Sequence, residues 1–207
     1  MKLEMVIKSA YQKLKNSNIK SALLDSEILL SSAINKSREF VILNSKHNVS
    51  KKENHSFQEM INQRSMGKPI AYIIGKKFFW KYDFYISEKV LIPRPDTEVI
   101  VEQVLKLYKK KENVNFLDIG SGSGCILLSI LKEKKDFRAT GVDISGHAVK
   151  VCKINANKLG VKNRVKLFKS DIDKFTKGKY DLIISNPPYI KNLNLKYLER
   201  DVAVFEP

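Results

Sequence analysis

NFLDIGSGSG, residues 115–124, is a short apolar run followed at once by glycines at every second position. The run predicts a buried strand, and residues 125–134, CILLSILKEK, predict a helix. Glycines in such a turn let the backbone bend sharply, so that N–H groups of the helix N-terminus face a ligand. The spacing is GxGxG rather than the GxGxxG of dinucleotide sites, which weakens a pyrophosphate interpretation. Taken alone, the glycines are also compatible with a purely structural turn.

Strand and helix continue to alternate after this turn. Apolar strands are predicted at 138–145, 164–171 and 180–186, and a helix at 146–160. Short apolar strands separated by helices are typical of βαβ units. The sequence therefore predicts an α/β fold with a parallel sheet.

Acidic residues end two of these strands. Asp143 lies about 20 residues after the glycines, where an acidic side chain accepts hydrogen bonds from ribose hydroxyls. Together with the glycines it predicts a nucleoside-containing cofactor, with a helix N-cap as the alternative role. Asp171 ends the next strand at the same carboxyl edge, where open α/β sheets bind ligands, and an N-cap is an equal alternative there.

A rigid polar turn, Asn186-Pro187-Pro188-Tyr189, follows the last predicted strand. The prolines fix φ and offer carbonyls but no N–H, and Asn186 adds a side-chain carbonyl. An NH₂ group held by these acceptors would keep both protons engaged while its lone pair faces an electrophile. Tyr189 could stack on a planar group. The turn therefore predicts orientation of a planar, poorly nucleophilic nitrogen for reaction.

The first 66 or so residues predict helices. Apolar residues recur at helical spacing, Ser50 with Glu53 predicts a capping box, and Gly67 with Pro69 ends the last of these helices.

The next segment changes character. Residues 71–87 are rich in aromatic residues and isoleucine with a period near two, which predicts a β-hairpin or two short strands. A hairpin that only packs one domain on the other is the alternative. After the prolines of LIPRP, residues 91–95, we expect Asp96 or Thr97 to cap a helix.

Composition excludes several classes of protein. The 207-residue chain has no run of about 18 apolar residues and no signal-peptide core at its start. Its two cysteines, Cys125 and Cys152, cannot form a disulfide framework, and its three histidines lie in separate segments, so no metal site is expected. We expect no membrane association and a reducing, cytoplasmic setting.

The formal net charge is +16. The 38 basic residues comprise 32 lysines and 6 arginines, and arginine is the residue that reads bases bidentately. We interpret the charge as a solvated lysine-rich surface, with non-specific attraction to RNA at low salt.

The chain resembles the PrmC/HemK family of class I S-adenosylmethionine-dependent methyltransferases along nearly its whole length. The NPPY turn alone is shared with methyltransferases of DNA adenine and ribosomal RNA guanine. The discriminating stretches are RSMGKPIAYIIG at 64–75, Phe79, and VLIPRPDTE at 90–98. Members of this family methylate the side-chain amide of the glutamine in the Gly-Gly-Gln loop of peptide chain release factors.

The resemblance implies a Rossmann-like class I methyltransferase sheet and S-adenosyl-L-methionine as the cofactor. It also implies a helical substrate-recognition domain at 1–70, a β-hairpin linker at 71–94 and the methyltransferase domain at 95–207, with release factors as partners.

The site residues implied by the resemblance fall into two groups. Those for the glutamine amide are Asn186, Pro187, Pro188 and Tyr189. Those for the cofactor are Gly120, Ser121, Gly122, Ser123, Gly124, Asp143, Asp171, Ile172 and Asn186. Ile172 departs from the aromatic residue of some members, so stacking on the adenine is replaced by weaker apolar contact.

The family sheet has more strands than the four that this sequence predicts. We therefore expect an incomplete sheet, with the C-terminal part of the domain missing and the last strand left as an apolar edge. Two alternatives stay open: a methyltransferase of adenine or guanine amino groups in nucleic acid, which the charge favours slightly, and a catalytically inactive truncated remnant.

Overall fold

The computed structural model describes residues 1–187 and 204–207. The chain forms two compact units; the first contains Met1–Ile74, and the second begins at Gly75 and includes Glu206. Pro188 and Tyr189, which the sequence places in the candidate site, lie outside the described residues. Within the described ranges, no helix combines the length and apolar character needed to cross a membrane.

The described part of the first unit is helical. Its helices are α1 (Leu3–Asn16), α2 (Ala22–Ala33), α3 (Arg38–Leu43), α4 (Lys51–Ser65) and α5 (Ile70–Ile74). Residues at helical spacing turn one stripe of each longer helix inward, and on α2 that stripe includes the polar Asp25 and Ser26. The largest fully buried side chains of this core are Leu14, Leu29, Leu30, Phe57 and Ile61.

A buried ion pair fixes the end of α4 against α2. Arg64 Nε donates to Asp25 Oδ2 at 2.7 Å, and the two residues are 8% and 4% exposed. The same guanidinium donates to the carbonyls of Gly67 and Lys68. Because a buried charge needs both a counter-ion and further hydrogen bonds, this arrangement constrains the turn that follows α4.

Sequence correctly predicts the start of α4. The Ser50 hydroxyl accepts from Glu53 N at 3.3 Å, and the Glu53 carboxylate accepts from Ser50 N at 2.8 Å. The capping box is therefore confirmed.

The first part of the predicted hairpin segment is helical instead. Residues 71–74 belong to α5, and the Pro69 carbonyl accepts hydrogen bonds from the N–H groups of Tyr72 and Ile73. Ala71 and Tyr72 are adjacent and both buried, which a strand with one exposed face would not give. The prediction of extended structure here was wrong, because so short an apolar run does not separate a helical turn from a strand.

An antiparallel hairpin follows α5 and confirms the later part of the prediction. Its strands are β1 (Lys76–Phe79) and β2 (Tyr82–Tyr85), and Phe79 pairs with Tyr82. At its turn Trp80 has a φ of 59°, a left-handed conformation that is unusual for a bulky residue.

The second unit contains a four-stranded parallel sheet, as predicted. Its strands are β3 (Asn115–Ile119), β4 (Arg138–Asp143), β5 (Val165–Lys169) and β6 (Leu182–Ser185), in the order β5-β4-β3-β6. Its helices are α6 (Glu98–Leu107), α7 (Cys125–Glu133) and α8 (Gly146–Lys158). The order places β3 between β4 and β6, so the residues that follow these strands share one edge.

The sheet has an apolar core and an exposed edge strand. Phe116 on β3 and Leu127 and Leu128 on α7 are fully buried. Within the described residues β6 pairs with β3 on one side only, and Ile183 is 60% exposed.

The start of α6 differs from the prediction. Pro95–Thr97 form a short 3₁₀ turn, and α6 begins at Glu98. Asp96 lies inside that turn, and Thr97 has helical backbone angles and makes no side-chain capping bond. The predicted cap was wrong, because a capping residue needs an extended backbone to reach the N–H groups of the first turn.

Candidate active site

The glycine loop between β3 and α7 has the backbone that its sequence predicts. Gly120, Gly122 and Gly124 have φ values of 74°, 54° and 81°. All three lie in the left-handed region, which residues with a Cβ rarely adopt. The N–H groups of Gly120 and Ser121 both donate to the Val142 carbonyl, so the loop is joined to the end of β4.

Two of the glycines border open space. A Cβ added at Gly120 would meet no atom within 4 Å, and one at Gly122 would meet only the Gly120 carbonyl at 3.9 Å. Gly124 differs, because a Cβ there would lie 2.5 Å from Cys152 Sγ and 2.8 Å from Leu128 Cδ1. The first two positions are therefore open to a ligand, whereas Gly124 also allows α7 and α8 to pack closely.

A buried carboxylate lies at the end of β3, beside the loop. Asp118 is 1% exposed, and neither of its carboxylate oxygens has a hydrogen-bond partner among the described residues. Burial first, and the charge of Asp143 second, raise the pKa of Asp118 to about 7, while the backbone N–H of Leu127 acts in the opposite direction. A cationic group of a ligand would offset this burial. Asp118 lies within the NFLDIGSGSG motif, but the sequence alone does not indicate a role for it.

Asp143 already holds the loop in place. Its Oδ2 accepts from Gly122 N and its Oδ1 accepts from Ser145 N, both at 2.8 Å. A carboxylate has about four acceptor positions, so both oxygens keep capacity for further donors such as ribose hydroxyls. The capping role left open for Asp143 belongs to Ser145, whose hydroxyl accepts from Ala148 N.

The two serines of the loop are both buried. Ser121 is 6% exposed, and its hydroxyl has no partner among the described residues. Ser123 is 3% exposed, and its backbone carbonyl accepts from Asn155 Nδ2 at 2.9 Å.

Asn155 of α8 is a residue that sequence reasoning missed. It is fully buried, and it joins the glycine loop to the hairpin through its bonds to Ser123 and Tyr85. The available signal was an amide on the buried stripe of a helix, next to Cys152 and Ala156. A buried amide needs several hydrogen-bond partners, but the sequence does not name them.

The end of β5 lies at the same edge of the sheet. Ser170 N donates to the Asp143 carbonyl at 3.0 Å, so Asp171 and Ile172 directly follow a residue that is joined to β4. Asp171 Oδ1 accepts from Asp173 N at 3.2 Å, which makes Asp171 the N-cap of a short 3₁₀ helix. Ile172 is 38% exposed. Their role beside an adenine stays a prediction.

Asn186 follows β6 and is brought to the glycine loop by strand pairing. Ile119 pairs with Ser185, and the Ser185 hydroxyl donates to the Ile119 carbonyl at 3.3 Å. Gly120 and Asn186 are the next residues along these two strands. The glycine loop and the turn that begins at Asn186 therefore start side by side. Asn186 and Pro187 are exposed, and Asn186 Nδ2 donates to Thr97 Oγ1 at 3.4 Å.

Comparison with known proteins assigns this arrangement to a family. Residues 96–201 match the Methyltransferase small domain, and residues 6–75 match the PrmC N-terminal domain. A release factor glutamine methyltransferase of Buchnera aphidicola is 40% identical over 210 residues, which cover 100% of this chain and 74% of the relative. The chain belongs to the release factor glutamine methyltransferase family. A relative in Clostridium acetobutylicum with the same name is 38% identical, again over 100% of this chain and 74% of the relative.

Likeness to solved structures is more limited. An RNA methyltransferase from Salinibacter ruber, solved in complex with S-adenosyl-L-homocysteine, is 24% identical and covers 51% of this chain and 65% of its own, with a TM-score of 0.41. The family assignment rests on the sequence relatives.

The residues at the carboxyl edge fit the cofactor of a methyltransferase family. Open space over Gly120 and Gly122 admits a ligand, and Asp118 offers a buried carboxylate to a cationic amino group. The free acceptor positions of Asp143 suit ribose hydroxyls. These features match the amino and ribose groups of S-adenosyl-L-methionine.

Proposed function

We propose that this protein methylates the side-chain amide of the glutamine in the Gly-Gly-Gln loop of peptide chain release factors. The observation that carries the proposal is the position of Asn186. This exposed residue lies beside the start of the glycine loop because β6 pairs with β3. A parallel sheet with this order brings a cofactor motif and an amide-binding turn to one edge. Family membership supplies the substrate class.

The cofactor site comprises Gly120–Gly124, Asp143, Asp171, Ile172 and Asn186. When bound there, S-adenosyl-L-methionine supplies an electrophilic methyl group on a sulfonium. The glycine loop can bind the cofactor without steric obstruction, because Gly120 and Gly122 have no Cβ in the open space beside them. Asp143 orients the loop and the ribose together, since its carboxylate holds Gly122 N.

The amide turn orients the nucleophile. A glutamine amide is planar, and its nitrogen is a weak nucleophile because its lone pair is delocalised into the carbonyl. The side-chain oxygen of Asn186 and the backbone carbonyl of Pro187 are acceptors for the two N–H groups of that amide. Holding both protons fixes the plane of the amide, so the nitrogen lone pair, which is perpendicular to that plane, is directed at the methyl group. When the new N–C bond forms, the methyl–sulfur bond breaks, and one of these protons then passes from the nitrogen to solvent, which reaches the exposed turn at Asn186. Sequence alone assigns Pro188 and Tyr189 to the same clasp.

The remaining parts of the proposal concern the substrate protein and the setting. The helical residues 1–70 bind the release factor, the hairpin region at 71–94 links them to the catalytic residues, and residues 95–207 carry the methyl-transfer chemistry. Translation termination takes place in the cytoplasm, where this protein would act. The net charge of +16 adds a non-specific attraction to RNA.

Transfer of labelled methyl groups tests the proposal. The 207-residue chain is incubated with labelled S-adenosyl-L-methionine and an unmodified release factor, and the control is the same release factor with the glutamine of its Gly-Gly-Gln loop changed to alanine. Label on the first substrate alone is the expected result. Label on protein-free RNA or DNA instead would favour a nucleic-acid methyltransferase. Binding of the release factor without any transfer would favour an inactive chain.

A further inference from the structure

Thr97 has a hydroxyl that the helix beside it does not use. It lies immediately before α6, yet its backbone angles of −69° and −17° are helical and its side chain caps no N–H group. Its Oγ1 instead accepts a hydrogen bond from Asn186 Nδ2 at 3.4 Å, across 89 residues of sequence.

This contact engages the nitrogen end of the Asn186 amide. With Nδ2 engaged by Thr97, Oδ1 is the end left to face an incoming N–H donor. An amide turned by 180° would direct its own NH₂ group towards the NH₂ group of the substrate, and two donors cannot form a hydrogen bond. Orientation of this amide therefore decides whether the substrate nitrogen is held or repelled.

Hydrogen bonds on both sides of Thr97 fix the segment that carries it. On one side, Glu206 accepts from Ile92 N at 3.3 Å and from Arg94 Nη2 at 2.6 Å, and the Glu206 side chain is only 3% exposed. A buried carboxylate held by a charge-assisted bond is a rigid anchor.

The second anchor is at the start of α6. Glu98 Oε1 accepts from the backbone N–H of Trp80 at 2.7 Å, and Trp80 is the left-handed turn residue of the hairpin. Thr97 therefore lies between two fixed points, and its hydroxyl is presented from a constrained backbone rather than from a free loop.

We infer that Thr97 is a positioning residue, whose hydroxyl accepts from Nδ2 and so holds the Asn186 side chain in place, with Oδ1 left to face the substrate amide. The inference rests on the proposed function for its kinetic consequence, but the contact itself belongs to this chain. This inference gives a role to Thr97, which lies in the IPRPDTE stretch that the family resemblance singles out.

Kinetics with a matched pair of variants test the consequence. Thr97→Val removes the acceptor and keeps the branched shape, whereas Thr97→Ser keeps the hydroxyl. We expect Thr97→Val to lower kcat for methyl transfer roughly three- to tenfold, as for loss of one neutral hydrogen bond, with little change in the KM for S-adenosyl-L-methionine. Thr97→Ser should retain most of the wild-type kcat. Equal losses in both variants, or no loss in either, would overturn the assignment.

A measurement that does not depend on activity tests the contact directly. The side-chain NH₂ signals of ¹⁵N-labelled protein are recorded, and those of Asn186 are identified by their disappearance in Asn186→Ala. We expect Thr97→Val to move these signals and speed exchange of their protons with water, and Thr97→Ser to leave them near their wild-type positions. Signals unchanged in Thr97→Val would refute the positioning role.

The two measurements separate the two claims. If the wild-type chain transfers no methyl group to the release factor, the proposed function fails, and the NMR result still decides whether Thr97 orients Asn186. Thermal unfolding of each variant reports whether it folds. If Thr97→Val does not fold, Thr97→Ala replaces it with the same expected changes.

Discussion

The buried Asn155 holds Tyr85 by both ends of its side-chain amide. Its Oδ1 accepts from the Tyr85 N–H at 2.7 Å, and its Nδ2 donates to the Tyr85 carbonyl at 3.0 Å. The same Nδ2 donates to the carbonyl of Ser123 at 2.9 Å. The Asn155 amide therefore bonds to the hairpin backbone as a neighbouring strand would. The same side chain also bonds to the glycine loop.

Replacement of this amide should be costly. Asn155→Ala leaves backbone groups of Tyr85 and Ser123 without partners, so we expect the free energy of unfolding to fall by about 2–4 kcal/mol. Urea unfolding monitored by circular dichroism measures it. The control is Asn157→Ala, an exposed asparagine on the same helix, for which we expect a change within about 0.5 kcal/mol. Equal effects from both changes would contradict the role of Asn155.

Two glycines with positive φ should differ in their tolerance of alanine. Gly160 has a φ of 70° and open space around an added Cβ, so Gly160→Ala should cost about 1 kcal/mol from the backbone alone. Gly124 has a φ of 81° and an added Cβ would overlap Cys152 Sγ, so Gly124→Ala should cost at least about 2 kcal/mol more. Denaturation curves of the two variants, recorded under the same conditions, give the difference in their free energies of unfolding. Similar costs would mean that α7 and α8 move apart easily.

Asp118 should make stability depend on pH near neutrality. Its pKa of about 7 in the folded protein lies above the unfolded value, so the folded state retains a proton that the unfolded chain releases near pH 4. Stability therefore falls as pH rises from about 4 to 7 and levels off above that, by a few kcal/mol at most. Asp118→Asn should remove this dependence. Unfolding curves of both proteins between pH 4 and 8 test the prediction, and parallel pH profiles would refute it.

Glu133 should have the opposite effect on the pH dependence of stability. Burial raises its pKa, but hydrogen bonds from Lys81, Tyr82 and Trp80 outweigh burial and hold the pKa below its usual value. Its contribution to stability is complete above the unfolded pKa and is lost as pH falls through the folded one. Glu133→Gln should therefore be less stable at pH 7 and should show a shallower loss of stability below about pH 4. Glu102→Gln, at an exposed position of α6, should leave the loss of stability at low pH unchanged.

Asn186→Ala should separate chemistry from cofactor binding. Loss of the oriented acceptor should lower kcat by about 100-fold, in line with removal of one well-placed polar group at a reacting centre. Because Asn186 also borders the cofactor site, affinity for S-adenosyl-L-homocysteine, measured by calorimetry, should fall, but by much less than kcat. Asn163→Ala, at an exposed asparagine away from the carboxyl edge, is the control. Comparable losses of turnover and of cofactor affinity in Asn186→Ala would contradict its assigned role.

Local patterns predicted much of this fold. The strand-to-glycine turn, the alternation after residue 115 and the capping box at Ser50 depend on neighbours in sequence, and the structure confirms them. Residues 71–74 were misassigned because an isolated helical turn and a short strand share the same apolar composition.

Two of the missed features depend on distant partners. Asn155 meets Tyr85 across 70 residues, and Thr97 meets Asn186 across 89. Residue type predicts a capping role for Thr97, but the turn that begins at Pro95 gives Thr97 helical backbone angles, and its hydroxyl caps no N–H group. Periodicity and propensity carry no information about such pairs, because only the folded sheet brings them together.

The pairing of Ile119 with Ser185 has a consequence for how the protein acquires activity. The two residues are separated by 66 positions, and β4 and β5 lie between β3 and β6 in the chain. Closing so long a loop is slow relative to forming local helices and hairpins. A chain emerging from the ribosome would complete its glycine turn long before the strand that carries Asn186 could join the sheet. The glycine loop therefore needs only β3 and β4, whereas methyl transfer also needs β6, because Asn186 follows that strand.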